Sequence, residues 1–272
     1  MCERIYFDTA AFRQVGKAFE KTKLSEDLTK RIVVSPITAF EVLSQLSITK
    51  ADDVLQQIHA LHNWCVPEGT GLLPWPGDAL YGLWFQKPAA DDGFTGKMQK
   101  AFNVCLASES ADSLKQEAGR LMDVMEAMKN QSASDFARLL EAARKEPLEG
   151  DKFSEAWFRG IASRIKADPG SKPMAEMVSL LSAYHEFEQT KLQIALRSQE
   201  YNAEKHRNDL LDAEQLIYLS DPTLCFLTCD GGFQNLVKKS PQAPRIITIP
   251  PADLADSEKV EALLRKIGHP NT

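Results

Sequence analysis

FLTCDGGF, residues 226–233, is the stretch on which the fold reading turns. An apolar run from Leu224 to Leu227 leads into Thr228, Cys229 and Asp230, and two glycines follow. A short buried strand that ends in Thr-x-Asp sets a carboxylate at the strand's carboxyl end, where open α/β sheets place their sites. Asp230 therefore has two readings, a turn or helix-capping residue or a metal ligand, and its partners have to come from the rest of the chain.

Working outward, the same grammar appears on both sides. Residues 208–220, NDLLDAEQLIYLS, read as a helix with acids in its first turn, which the helix dipole favours. DGGFQNLVKK reads as a turn and a helix, RIITI (245–249) as a strand stopped by Pro250-Pro251, and a last helix runs near 257–267 to Gly268. At the other end ERIYF is a strand closing at Asp8, and 9–22 carry Ala11, Phe12, Val15 and Phe19 at helical spacing. RIVV (31–34) is a second β-branched run, and Ser35-Pro36 opens a helix through ITAFEVLSQLSI. Alternating strands and helices with short loops predict an α/β fold with a parallel sheet covered on both faces. The middle differs: loop-like at 66–93, then helical near 95–106, 110–129, 133–145, 153–166 and 173–200.

Composition bounds the class. The 272 residues are 43% hydrophobic and 26% charged, enough to fill a core. No apolar run of about 18 residues exists, so no membrane partner is expected. The N-terminus lacks a basic-then-apolar pattern, so a cytoplasmic location is expected. The five cysteines are scattered without a C-x-x-C pair, and reduced buried thiols are the expectation for Cys225 and Cys229. A formal charge of −6 weighs modestly against a nucleic-acid partner, although a carboxylate metal site would itself add to it.

Four carboxylates fall in matching places of this register. Asp8 ends the first strand, Glu41 lies in the helix after the second, Asp212 opens the 208–220 helix with Asp209 one turn earlier, and Asp230 ends the later strand. In a parallel sheet these positions share one edge. Each has a plainer use alone: Asp8 as an N-cap, Glu41 as an exposed helical acid, Asp209 and Asp212 as dipole partners, Asp230 as a turn residue. Together they would repel one another, and a hard divalent cation with oxygen ligands, Mg²⁺ or Mn²⁺, removes the conflict. Such a centre suits phosphodiester hydrolysis.

These residues carry a resemblance. An Asp after the first strand (IYFDTAAF), a helical Glu after the second (VVSPITAFEVL), and an Asp opening a helix ahead of Thr-x-Asp (DAEQLIYLSDPTLCFLTCDGGF) resemble the PIN-domain family. That nuclease family includes bacterial ribonuclease toxins and some RNA-processing factors. Asp212 stands 18 residues before Asp230, a spacing similar to the family's; Asp209 stands 21 before it and would be a spare or outer acid. The resemblance implies a three-layer α/β/α domain and Mg²⁺- or Mn²⁺-dependent endonucleolytic cleavage of RNA, usually single-stranded. It implies Asp8, Asp212 and Asp230 as metal ligands. Glu41 would hold a metal directly or through water, or orient the attacking water. Thr228 and Thr9 would hydrogen-bond a carboxylate or the phosphate. Toxin members make an antitoxin-like protein inhibitor and a homodimer expectations for partners beside RNA. The matching segments are 1–50 and 205–250, which implies a PIN-like domain over 1–50 and 201–272 with a helical insertion at 51–200. The long gap between Glu41 and Asp212 is the departure from compact members.

Outside the acids, Arg13, Lys17, Lys205, His206 and Arg207 are candidates to contact phosphate; Lys238 and Lys239 read as helix-end partners. His59 and His62 form H-x-x-H without the zincin Glu, and His185 reads as part of a solvated face. Trp64, Trp75, Trp84 and Phe85 read as core of the insertion, with base stacking as the other use. No Gly-rich phosphate loop or G-x-S-x-G elbow occurs. Two other functions share these features: a non-catalytic scaffold that keeps the fold, and a structure-specific DNA nuclease.

Overall fold

The computed structural model describes residues 2–19, 22, 24–44, 71–89, 95–96, 100, 103, 111–148, 150–198 and 200–268. In chain order the named elements are β1 (Arg4–Phe7), α1 (Thr9–Ala18), α2 (Glu26–Thr29), α3 (Pro36–Ser44), α4 (Pro76–Phe85), α5 (Ala111–Lys145), α6 (Asp151–Arg164) and α7 (Met174–Leu180). They continue with α8 (Ser182–Arg197), α9 (Arg207–Ala213), β2 (Leu224–Thr228), α10 (Gly231–Leu236), β3 (Ile246–Thr248) and α11 (Ser257–Gly268). The described chain is mostly helical around a small parallel sheet, a mixed α/β fold.

The sheet has three strands in the order β1-β2-β3, with Phe7 opposite Leu227 and Phe226 opposite Ile246. All five residues of β2 are buried, as the near-continuous apolar run of a doubly covered parallel strand requires. The expected strand at 31–34 is reduced to isolated parallel bridges, Ile5 with Ile32 and Val34 with Leu72. Pairing is real but short: the Ile5 N–H donates to the Arg31 carbonyl at 2.7 Å, and the Val33 N–H to the Ile5 carbonyl at 2.9 Å. Ser35-Pro36 then turns the chain into α3.

Alternation along the strands divides the interior into two cores. Ile5, Phe7 and Leu227 face one core with Phe12, Val15, Phe40, Trp75 and Leu264. Tyr6, Phe226 and Ile246 face the other with Trp84, Phe136, Trp157 and Phe187. Tyr6 stacks on Phe226 at 4.9 Å, and Phe233 meets Phe226 edge-on at 5.3 Å. The segment expected as a helical insertion thus shares a core with the sheet it follows.

Several helix boundaries differ from expectation. The helices expected at 110–129 and 133–145 are one, α5, of 35 residues. Nothing in Asn130-Gln131-Ser132 breaks a helix, and one apolar stripe runs through it: Leu121 and Met125 enter the first core, Phe136 and Leu140 the second. The long helix expected at 173–200 is instead broken at Leu181. There the Gln242 amide donates to the Leu180 carbonyl at 2.7 Å and accepts the Ala183 N–H at 2.9 Å, satisfying groups that a break leaves open. The 208–220 helix is α-helical to Ala213 and then tightens into a 3₁₀ helix, Glu214–Ser220. Helix α1 stops at Ala18, and α10 stops before Lys238 and Lys239, so neither lysine lies in a helical turn.

The thiol expectation is corrected for Cys225. The N–H groups of Glu3 and Arg4 both donate to the Thr223 carbonyl, drawing the N-terminal segment along the start of β2. Cys2 and Cys225 are consequently paired as a disulfide, with Cα atoms 5.6 Å apart; Cys229 is a free thiol. No described helix is long and apolar enough to cross a membrane.

Candidate functional site

Asp8 follows the last residue of β1 and caps α1: its Oδ1 accepts the Ala11 N–H at 2.6 Å. Its Oδ2 reaches across to β2, accepting the Cys229 N–H at 3.0 Å and the Thr228 hydroxyl. The capping and site readings of Asp8 therefore describe one side chain. It is 8% exposed. Burial raises its pKa and the neighbouring Asp230 adds to this, against the hydrogen bonds from Thr228, Ala11 and Cys229.

Thr228 links the pair of aspartates: its oxygen also accepts the Asp230 N–H at 2.9 Å. Asp230 is exposed and caps α10, its Oδ1 accepting the Gly232 N–H at 2.7 Å. A Cβ at position 232 would lie 2.9 Å from that oxygen and would push the Asp230 carboxylate aside. The turn reading of Asp230 is realised, and its charge still reaches Asp8.

The Thr38 hydroxyl donates to the Phe7 carbonyl at 2.8 Å, docking the first turn of α3 under the end of β1. One turn later Glu41 accepts a hydrogen bond from the Thr9 hydroxyl. Arg13, one turn beyond Thr9, is half-buried beside Glu41; burial lowers its pKa, the Glu41 charge opposes this, and its buried Nε has no acceptor among the described residues. Asp212 is partly buried on α9. Its pKa is pushed well up, first by burial and then by the charges of Glu41, Asp8 and Asp209, while Lys129 acts the other way. Asp8, Glu41 and Asp212 thus share one electrostatic neighbourhood at the carboxyl edge of the sheet.

Lys129 gave no sequence signal. Helix α5 packs on α3 and α9 and lays the Lys129 Nζ 3.7 Å from Glu41, with 15% of its side chain exposed. One lysine on a helix rich in charge is unremarkable until tertiary packing aims it.

Other candidates are turned elsewhere. Asp209 pairs with Lys191 at 2.7 Å and His206 at 3.3 Å. Arg207 is committed to Glu126 at 2.9 Å and Asn130 at 2.7 Å. His185 is not on a solvated face: it packs edge-on against Trp157 at 4.8 Å and meets Ser154 Oγ at 3.0 Å, and burial lowers its pKa to about 4. Trp75 and Trp84 are core residues, while Phe85 is exposed. His59, His62 and Trp64 lie outside the described residues.

Among the described residues no three His, Cys, Asp or Glu side chains are grouped closely enough to hold one ion together. The donor set still fits a hard cation, because it consists of carboxylate oxygens that repel one another, and Mg²⁺ binds through one or two carboxylates while keeping several waters. Arg13 and Lys129 add positive charge beside these acids. No protein-family model, curated protein or solved structure matches the chain.

Proposed function

We propose that the chain is a metal-dependent endoribonuclease of PIN type, with a three-layer α/β/α domain built from its two ends and active on single-stranded RNA. The observation that carries this reading is the shared electrostatic neighbourhood of Asp8, Glu41 and Asp212 beside Asp230 at the carboxyl edge of a parallel sheet. Since no three of these side chains converge on one point, Asp8, Asp212 and Asp230 would hold Mg²⁺ or Mn²⁺ in part through its waters, with Glu41 reaching it directly or through water. When bound, such a cation supplies a Lewis acid for the phosphate and lowers the pKa of water.

The chain's own residues have definite parts. Thr228 and the Cys229 N–H fix Asp8 Oδ2, and Thr9 fixes Glu41. Glu41, near the cation of Lys129, accepts the proton released as water attacks phosphorus and the bond to the leaving oxygen breaks. Arg13 and Lys129 offset the charge of an incoming phosphodiester.

A second reading, a scaffold that keeps the fold without catalysis, is favoured by one observation. Asp8 and Asp230 both serve as helix caps, and Glu41 already has Thr9 and Lys129 beside it. Cleavage of a mixed-sequence single-stranded RNA in Mn²⁺, Mg²⁺ or EDTA, for wild type and Asp212→Asn, separates the two. The nuclease reading expects cleavage in either metal, none in EDTA, and a loss of about a hundredfold or more in the variant. Absence of cleavage in both metals favours the scaffold.

A further inference from the structure

A cleft of about 720 Å³ opens between α5, α6, α8 and α9, away from the four acids. Phe136, Leu139, Ile161 and Leu210 give it apolar walls. Three carboxylates line it, and two have cations: Asp135 pairs with Arg138, and Glu214 takes both guanidinium nitrogens of Arg164 at 2.9 and 2.8 Å. Among the described residues Glu188 has no ion pair; its hydrogen-bonding neighbour is Tyr184. Burial, the largest cause, raises the Glu188 pKa to about 7.

Two further features border the cleft. Trp157 is 4% exposed and borders the cleft, and its Nε1–H has no acceptor among the described residues. A buried donor without a partner is unfavourable. Gly160 stands inside α6 at the cleft, where a Cβ would meet nothing within 4 Å. Glycine weakens a helix interior relative to alanine, and no packing constraint at this position demands it.

We propose that this cleft binds an organic cation, a protonated amine on an aromatic or apolar body. The ammonium lies against Glu188, and the body fills the space between Phe136, Leu139 and Leu210. The Arg164 charge, itself paired with Glu214, already acts on Glu188 against burial, and an ammonium beside Glu188 favours its charged form further. The Trp157 and Tyr184 rings, 6.0 Å apart, add aromatic surface of the kind cations favour. The volume suits a drug-sized molecule. None of the four acids lines the cleft, so an inactive nuclease would leave this inference standing.

The test is calorimetric titration of the full chain with N-benzoylputrescine and with its charge-reversed counterpart, N-benzoyl-δ-aminovalerate. Saturable one-site binding of the amine alone is expected. It should weaken about tenfold or more in Glu188→Gln and be blocked in Gly160→Leu, which fills the cleft. Thermal melts establish that each variant folds, and Glu188→Gln decides alone if the leucine variant does not. No binding of the amine, equal binding of the carboxylate, or undiminished binding by Glu188→Gln overturns the proposal.

Discussion

Thr228 holds the carboxyl edge together: its hydroxyl donates to Asp8 and accepts the Asp230 N–H. Thr228→Val keeps the shape and removes both bonds, leaving a buried carboxylate short of a donor. We expect a loss of about 2 kcal/mol in denaturant unfolding, with Thr228→Ser close to wild type; an unchanged valine variant would mean that the hydroxyl is not needed there. At this scale the sequence was informative where chemistry is local. FLTCDGGF offered the cap at Asp230 as one of its two readings, because strand end, cap and glycine are neighbours in the chain, and the family resemblance implied a hydrogen bond from Thr228 to a carboxylate or the phosphate. Lys129 was not legible, since α5 reaches Glu41 only by packing across 88 positions of sequence.

The helices carry two predictions. Gly160→Ala in α6 should raise stability by about 1 kcal/mol, because its new methyl group meets open space; a loss of stability would mean that an unseen constraint fixes glycine. His185 on α8 is held neutral by burial, with a folded pKa near 4 against an ordinary value of 6.5. A depressed histidine contributes stability above its unfolded pKa and loses it as pH falls toward the folded one. The melting temperature of wild type should therefore fall relative to His185→Phe as pH drops from 6.5 to about 4. A difference that does not vary with pH would contradict a buried neutral ring. Element boundaries were legible where the stop signal is in the chain, as at Ser35-Pro36 and Gly268. The break at Leu181 was not, because the amide that supports it belongs to Gln242, far along the chain.

For the molecule as a whole, the alternation of strands with helices anticipated a parallel sheet covered on both faces, and two cores bear this out. What covers the second face was harder to read. Periodicity marks Phe136, Trp157 and Phe187 as apolar sides of helices, yet says nothing of which surface they meet. The four acids come from chain regions as distant as Asp8 and Asp230, so the proposed cation site would exist only in the folded state, and its occupation would stabilise that state against unfolding. The most direct measurement is thermal unfolding of wild type and Asp212→Asn in EDTA and in millimolar Mn²⁺. The account predicts that Mn²⁺ raises the wild-type midpoint by several degrees and leaves the variant nearly unmoved. Equal midpoints for wild type with and without Mn²⁺ would contradict a metal centre at the carboxyl edge of the sheet.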